Sequence, residues 1–214
     1  MIWESHFWKS ELLGNARSLA EWSKRRRSEK RAFQIERLVF MSAFIMRKLW
    51  EARKLSTSWQ DRQISAASYP PKGRMPDLMN WHRIEEHYFL DRERAVFLTA
   101  SELCNRLIHS YIFMEVMGTK SAVEGFFFAS DKSKRNALWY VKLSDFISLL
   151  KETGRDYPSS SRRVRDPRSG EWIVWSGHGH PPDAWEAFAA RLLAKYVTKL
   201  TEKNSSEKPT RGKN

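Results

Sequence analysis

Large apolar side chains recur at helical spacing twice near the start of the chain. Phe7, Trp8, Leu12, Leu13, Ala16, Leu19 and Ala20 form one stripe, and Ile35, Leu38, Val39, Ser42, Ile45, Met46 and Leu49 form a second. Two helices burying these stripes against each other make an antiparallel hairpin, with the segment Ser23 to Arg31 as its exposed tip. The pattern then breaks. Residues 56–80 lack apolar periodicity and carry Pro70, Pro71, Gly73 and Pro76, so a long irregular connection is predicted there.

Periodicity resumes with Thr99-Ala100-Ser101-Glu102, which fits a capping box and predicts a helix from Ser101 to Ser110. The run Tyr111 to Met114 suits either a continuation of that helix or a strand. Val123–Ala129 and Ala137–Leu143 are rich in aromatic and β-branched residues around a polar basic turn, the signature of a β-hairpin. Ser144 is placed to cap a short helix carrying Phe146, Ile147, Leu149 and Leu150, and Gly154 sits where a left-handed residue ends such a helix. A second hairpin pairs Arg162–Arg165 with Glu171–Trp175 across Asp166-Pro167-Arg168-Ser169-Gly170. Pro181-Pro182-Asp183 opens a final amphipathic helix carrying Trp185, Phe188, Ala189, Leu192, Leu193, Tyr196 and Leu200, expected to dock on the core.

This order lacks regular strand–helix alternation, so the predicted class is α+β: an N-terminal helical hairpin, a central helix, two β-hairpins with a short helix between them, and a C-terminal helix. One domain over residues 1–201 is expected, with 202–214 a disordered basic tail. The 28 aromatic side chains, ten of them Trp, supply enough burial for a folded chain. No run is long and apolar enough for a membrane span and no secretory signal opens the chain, while Cys104 has no cysteine partner. A cytoplasmic protein is therefore expected.

Charge adds the first functional suggestion. Thirty-eight Lys and Arg against 25 Asp and Glu give a formal +13, which draws polyanions and makes nucleic acid the first partner to consider. The cations cluster. Lys24, Arg25, Arg26, Arg27, Lys30 and Arg31 fall at the helical tip, Lys132, Lys134 and Arg135 in the first hairpin turn, and Arg162, Arg163 and Arg165 beside the second. A common phosphate-contacting face requires the fold to gather these clusters; otherwise they are solvated turns.

Three other chemistries have candidate residues in the sequence. Arg106 and His109 stand three apart on the predicted helix, where a guanidinium could stabilise a phosphorane-like charge and an imidazole move a proton, as in a metal-independent ribonuclease. The pairing resembles the Arg and His of the HEPN ribonucleases, in which the two residues stand farther apart. His178 and His180 could share a metal if His82, Glu85, Glu86 or His87 completed the set, although the spacing misses the His-Glu-x-x-His pattern. The Trp content suggests an aromatic surface for a protein partner. Glycine-rich phosphate loops, dinucleotide fingerprints and nucleophile elbows are missing from the sequence, so no cofactor is expected. Cys104, between Leu103 and Leu107, reads as a buried small hydrophobe.

Overall fold

The computed structural model of the chain describes residues 2–118, 121–166 and 168–206, with the side chains at 195–197 and 199–206 left aside. The described residues form two compact units that divide between Asp156 and Tyr157, and the architecture is α+β as the order of patterns predicts.

In the first unit the two apolar stripes form α1 (Ser5–Trp22) and α2 (Glu29–Glu51), packed on each other. Leu12, Ala16 and Leu19 of α1 and Ile35, Leu38, Val39, Met46 and Leu49 of α2 are all buried. A 3-10 turn (Thr57–Asp61) and β1 (Gln63–Tyr69) follow, so the stretch expected to be irregular holds a central strand. Its small residues, Ser65, Ala66, Ala67 and Ser68, give it little apolar periodicity. The strand is stabilised by neighbours on both sides, which only the fold supplies.

Next come α3 (Ile84–His87), β2 (Arg94–Thr99), α4 (Ala100–Ile108), β3 (Ser110–Met117), β4 (Val123–Ser130), β5 (Leu138–Lys142) and α5 (Leu143–Arg155). The capping box at Thr99 is present in full: its hydroxyl accepts the Glu102 amide at 3.1 Å and the Glu102 carboxylate accepts the Thr99 amide at 2.9 Å. Tyr111 to Met114 belong to β3, where they pair with β4.

All five strands join one antiparallel sheet in the order β2-β1-β5-β4-β3. Alternation sends Phe126, Phe128 and Val141 to one face, under α4 and α5, with α1 packed on α5 and α2 on α4. The opposite face packs Ala67, Tyr69, Ile112, Ala129 and Leu138 against Ile84 and Tyr88 of the α3 segment.

Two local assignments change. Helix α5 starts one residue before Ser144, with Lys142 at its N-cap and no side-chain cap, so Ser144 is a first-turn residue rather than the cap. Gly154 is not a left-handed terminator but a helical residue in close contact with α1. A Cβ there would stand 2.8 Å from Leu13 Cγ and 3.0 Å from the Lys9 carbonyl oxygen. The crowding arises because α1 seats Lys9, 1% exposed, against the end of α5. Its ammonium donates to the carbonyls of Asp156 and, at 2.8 Å, Lys54.

The second unit consists of β6 (Ser160–Arg165), β7 (Trp172–Gly177) and α6 (Asp183–Ser206). Strands β6 and β7 form the expected hairpin, and α6 packs on β6 of its own unit. Val164, Trp175 and Ala189 are its buried apolar residues. The helix runs through residues 202–206, where a disordered tail was expected, and 207–214 lie outside the described residues. Among the described residues, no helix is long and apolar enough to cross a membrane.

Candidate nucleic-acid interface

The α1–α2 tip is a built structure rather than a loose charged loop. Ser28 caps α2 by accepting the Arg31 amide at 3.2 Å, and the Ser23 carbonyl accepts the Val123 amide at 3.0 Å, tying the tip to the start of β4. Arg31 completes the attachment. Its guanidinium donates at 3.1 Å to the carbonyls of Arg25 and Ser121, and at 3.0 Å to Glu115 of β3.

Arg31 is therefore removed from the set of phosphate contacts. At 1% exposure and paired with Glu115, it has no surface to offer a ligand. Sequence could not separate it from its neighbours, because its charged partner Glu115 and the Ser121 carbonyl come from residues more than eighty positions away.

The other five cations of the tip remain outward. Lys24, Arg25, Arg26, Arg27 and Lys30 are all exposed, and none forms an ion pair among the described residues. The Arg25 guanidinium lies 4.0 Å over the Trp22 ring, which holds it extended along the surface. A cleft of about 420 Å³ lined by Arg27, Ser28, Phe113 and Glu115 opens on one side of the tip. Another of about 550 Å³ is lined by Lys24, Lys142, Ser144, Tyr140 and Glu124. Burial there raises the Tyr140 hydroxyl above its ordinary range.

The second cluster does not join the first. Lys132 and Arg135 are exposed beyond the far end of β4, and an eight-residue strand at roughly 3.3 Å per residue separates the two sites by about 25 Å. Lys134 is neutralised locally. Its ammonium sits 2.7 Å from Asp131 and 3.4 Å over the Tyr111 ring, and the same hydrogen bond holds the Asp131 carboxyl below its usual range.

The third cluster lies in the other unit. On β6 Val164 is buried, so strand alternation turns Arg163 and Arg165 to the opposite face, where exposed Trp172 stands directly across from Arg165. Arg162 is exposed as well, and the Arg165 Nε donates to the Gly170 carbonyl at 3.0 Å.

Arg106 and His109 do not frame a cleft. Arg106 stacks 4.4 Å over Trp139 and lies 3.8 Å from Glu102, half-buried, with burial lowering its pKa. His109 is exposed at the C-cap of α4. The histidines separate similarly. His178 and His180 are exposed after β7, whereas His87 is buried with its ring nitrogens 3.2 Å and 3.1 Å from the carbonyls of Arg74 and Asn80. No three His, Cys, Asp or Glu side chains are grouped to hold a metal ion among the described residues. Cys104 is fully buried, and desolvation pushes its thiol up to about 12.

The chain matches no family model, no curated protein and no solved structure.

Proposed function

We propose that this chain is a non-catalytic nucleic-acid-binding protein of the cytoplasm, with the α1–α2 tip as its principal phosphate contact. One observation carries the reading: five exposed cations within seven residues, unpaired by carboxylates among the described residues, stand on a backbone fixed by Ser28 and Arg31. Such a surface exchanges condensed counterions for side chains, so affinity comes from entropy and falls with salt. Lys142 beside one cleft extends the positive surface beyond the tip. The Arg163 and Arg165 face, with Trp172 across the strand, gives the second unit a contact of the same chemistry. The buried thiol of Cys104 is in keeping with a reducing compartment.

The test is fluorescence anisotropy with labelled RNA and DNA across a salt series. Replacing Lys24, Arg26 and Arg27 with Gln should lower the slope of log affinity against log salt by about 2.7 on duplex DNA, at roughly 0.9 per phosphate contact. Absence of binding at low salt, or an unchanged slope in the triple variant, refutes the assignment.

A further inference from the structure

We propose that the outer face of the α1–α2 hairpin is a homodimer interface, through which a second copy of the chain packs its own α1–α2 face. The inward sides of both helices are fully used by the core, yet the outward sides also carry large apolar residues among their charges. Phe7 and Trp8 on α1 are 73% and 36% exposed, and Phe33, Met41 and Phe44 on α2 are 57%, 47% and 40% exposed. Phe33, Met41 and Phe44 fall on one side of α2 at helical spacing, with the charged Arg37 between them. These five apolar side chains show roughly 500 Å² of large apolar surface, taking about 200 Å² for each whole side chain. That is in the upper part of the range for the largest patch on a typical monomer, a class of patch that often serves binding, and would be the apolar centre of the roughly 800 Å² each partner contributes to a stable complex.

The chemistry of the face selects a second copy as its occupant. Between the helices runs a groove of about 270 Å³ lined by Phe7, Trp8 and Met41, with Glu11 on the α1 side and Arg37 on the α2 side. Within one chain these two form no ion pair among the described residues, and Arg37 donates instead to Gln34 at 3.0 Å. A two-fold axis along the groove sets α1 of one copy over α2 of the other. Each Glu11 then meets the partner copy's Arg37, and the aromatic rows interleave. An isologous interface demands this kind of self-complementarity. The basic residues lie at the end of the hairpin, outside the groove, so they remain available to nucleic acid.

The experiment is sedimentation equilibrium of the full chain over a concentration series up to about 50 µM, at low and high salt. The expected result is a species of twice the 25.3 kDa chain mass. The dimer should strengthen with salt, because screening relieves repulsion between two cationic chains, opposite to the salt response of nucleic-acid binding. Phe7→Glu and Met41→Glu should each give a monomer of unchanged circular dichroism. Glu11→Arg should weaken the dimer, and Glu11→Arg with Arg37→Glu should restore it, a rescue that holds even if an apolar substitution unfolds the chain. A wild-type chain that stays at 25.3 kDa, as it would were the face covered by another protein or another part of the same chain, overturns the proposal. So does a dimer indifferent to the charge reversal.

Discussion

Substituting Glu115 with Ala isolates the interaction that fixes the basic tip. Arg31 is 1% exposed and makes four contacts, two to carbonyls, one to the Met117 sulfur and one, at 3.0 Å, to a carboxylate. Glu115 supplies its counter-charge, and the Glu115 side chain is itself only 14% exposed. Removing the carboxylate leaves a guanidinium shielded from water with neutral partners only, a defect that typically costs about 3–5 kcal/mol. The pair is imperfectly satisfied at the outset, since Arg31 Nε and Glu115 Oε1 are buried without partners among the described residues. The loss should therefore fall near the lower end, about 3 kcal/mol. Urea unfolding followed by Trp fluorescence reads this as a lower midpoint at constant slope. The double variant Arg31→Met with Glu115→Leu should be more stable than Glu115→Ala alone, because an apolar pair needs no counter-charge. A Glu115→Ala protein within about 1 kcal/mol of wild type would refute the reasoning, as it would mean that water reaches Arg31.

Three further outcomes follow from individual side chains. Burial lowers the Lys9 ammonium from 10.5 to about 8, so between these values the folded chain binds fewer protons than the unfolded one and stability rises with pH. The stability of wild type relative to Lys9→Met should therefore climb by at most about 3 kcal/mol across that window, and a flat difference sinks the idea. Gly154→Ala should destabilise by about 1–2 kcal/mol in thermal unfolding, because contact with the Lys9 carbonyl outweighs the roughly 1 kcal/mol that Ala gains in helix propensity. Cys104 should resist thiol reagents in the native protein and react at once on unfolding, since the thiol is buried and pushed up to about 12; rapid native labelling would contradict the burial.

Sequence alone determined whatever depends on neighbours within one helical turn or one strand pair. The α1 and α2 stripes, the Thr99 capping box, both hairpins and the start of α6 belong here, because spacing along the chain carries their signal. The accumulation of cations at residues 24–31 was legible for the same reason. The tertiary structure decided everything that depends on residues distant in sequence. Strand β1 has few large side chains, and it exists because β2 and β5 complete its hydrogen bonds. Gly154 carries the same letter as a helix terminator, and only the approach of α1 makes it a packing residue. Within one basic run, Arg31 became internal while its neighbours stayed outside, because Glu115 and Ser121 arrive from another part of the fold. Charge is a property of the residue, but availability to a ligand is a property of what folds against it.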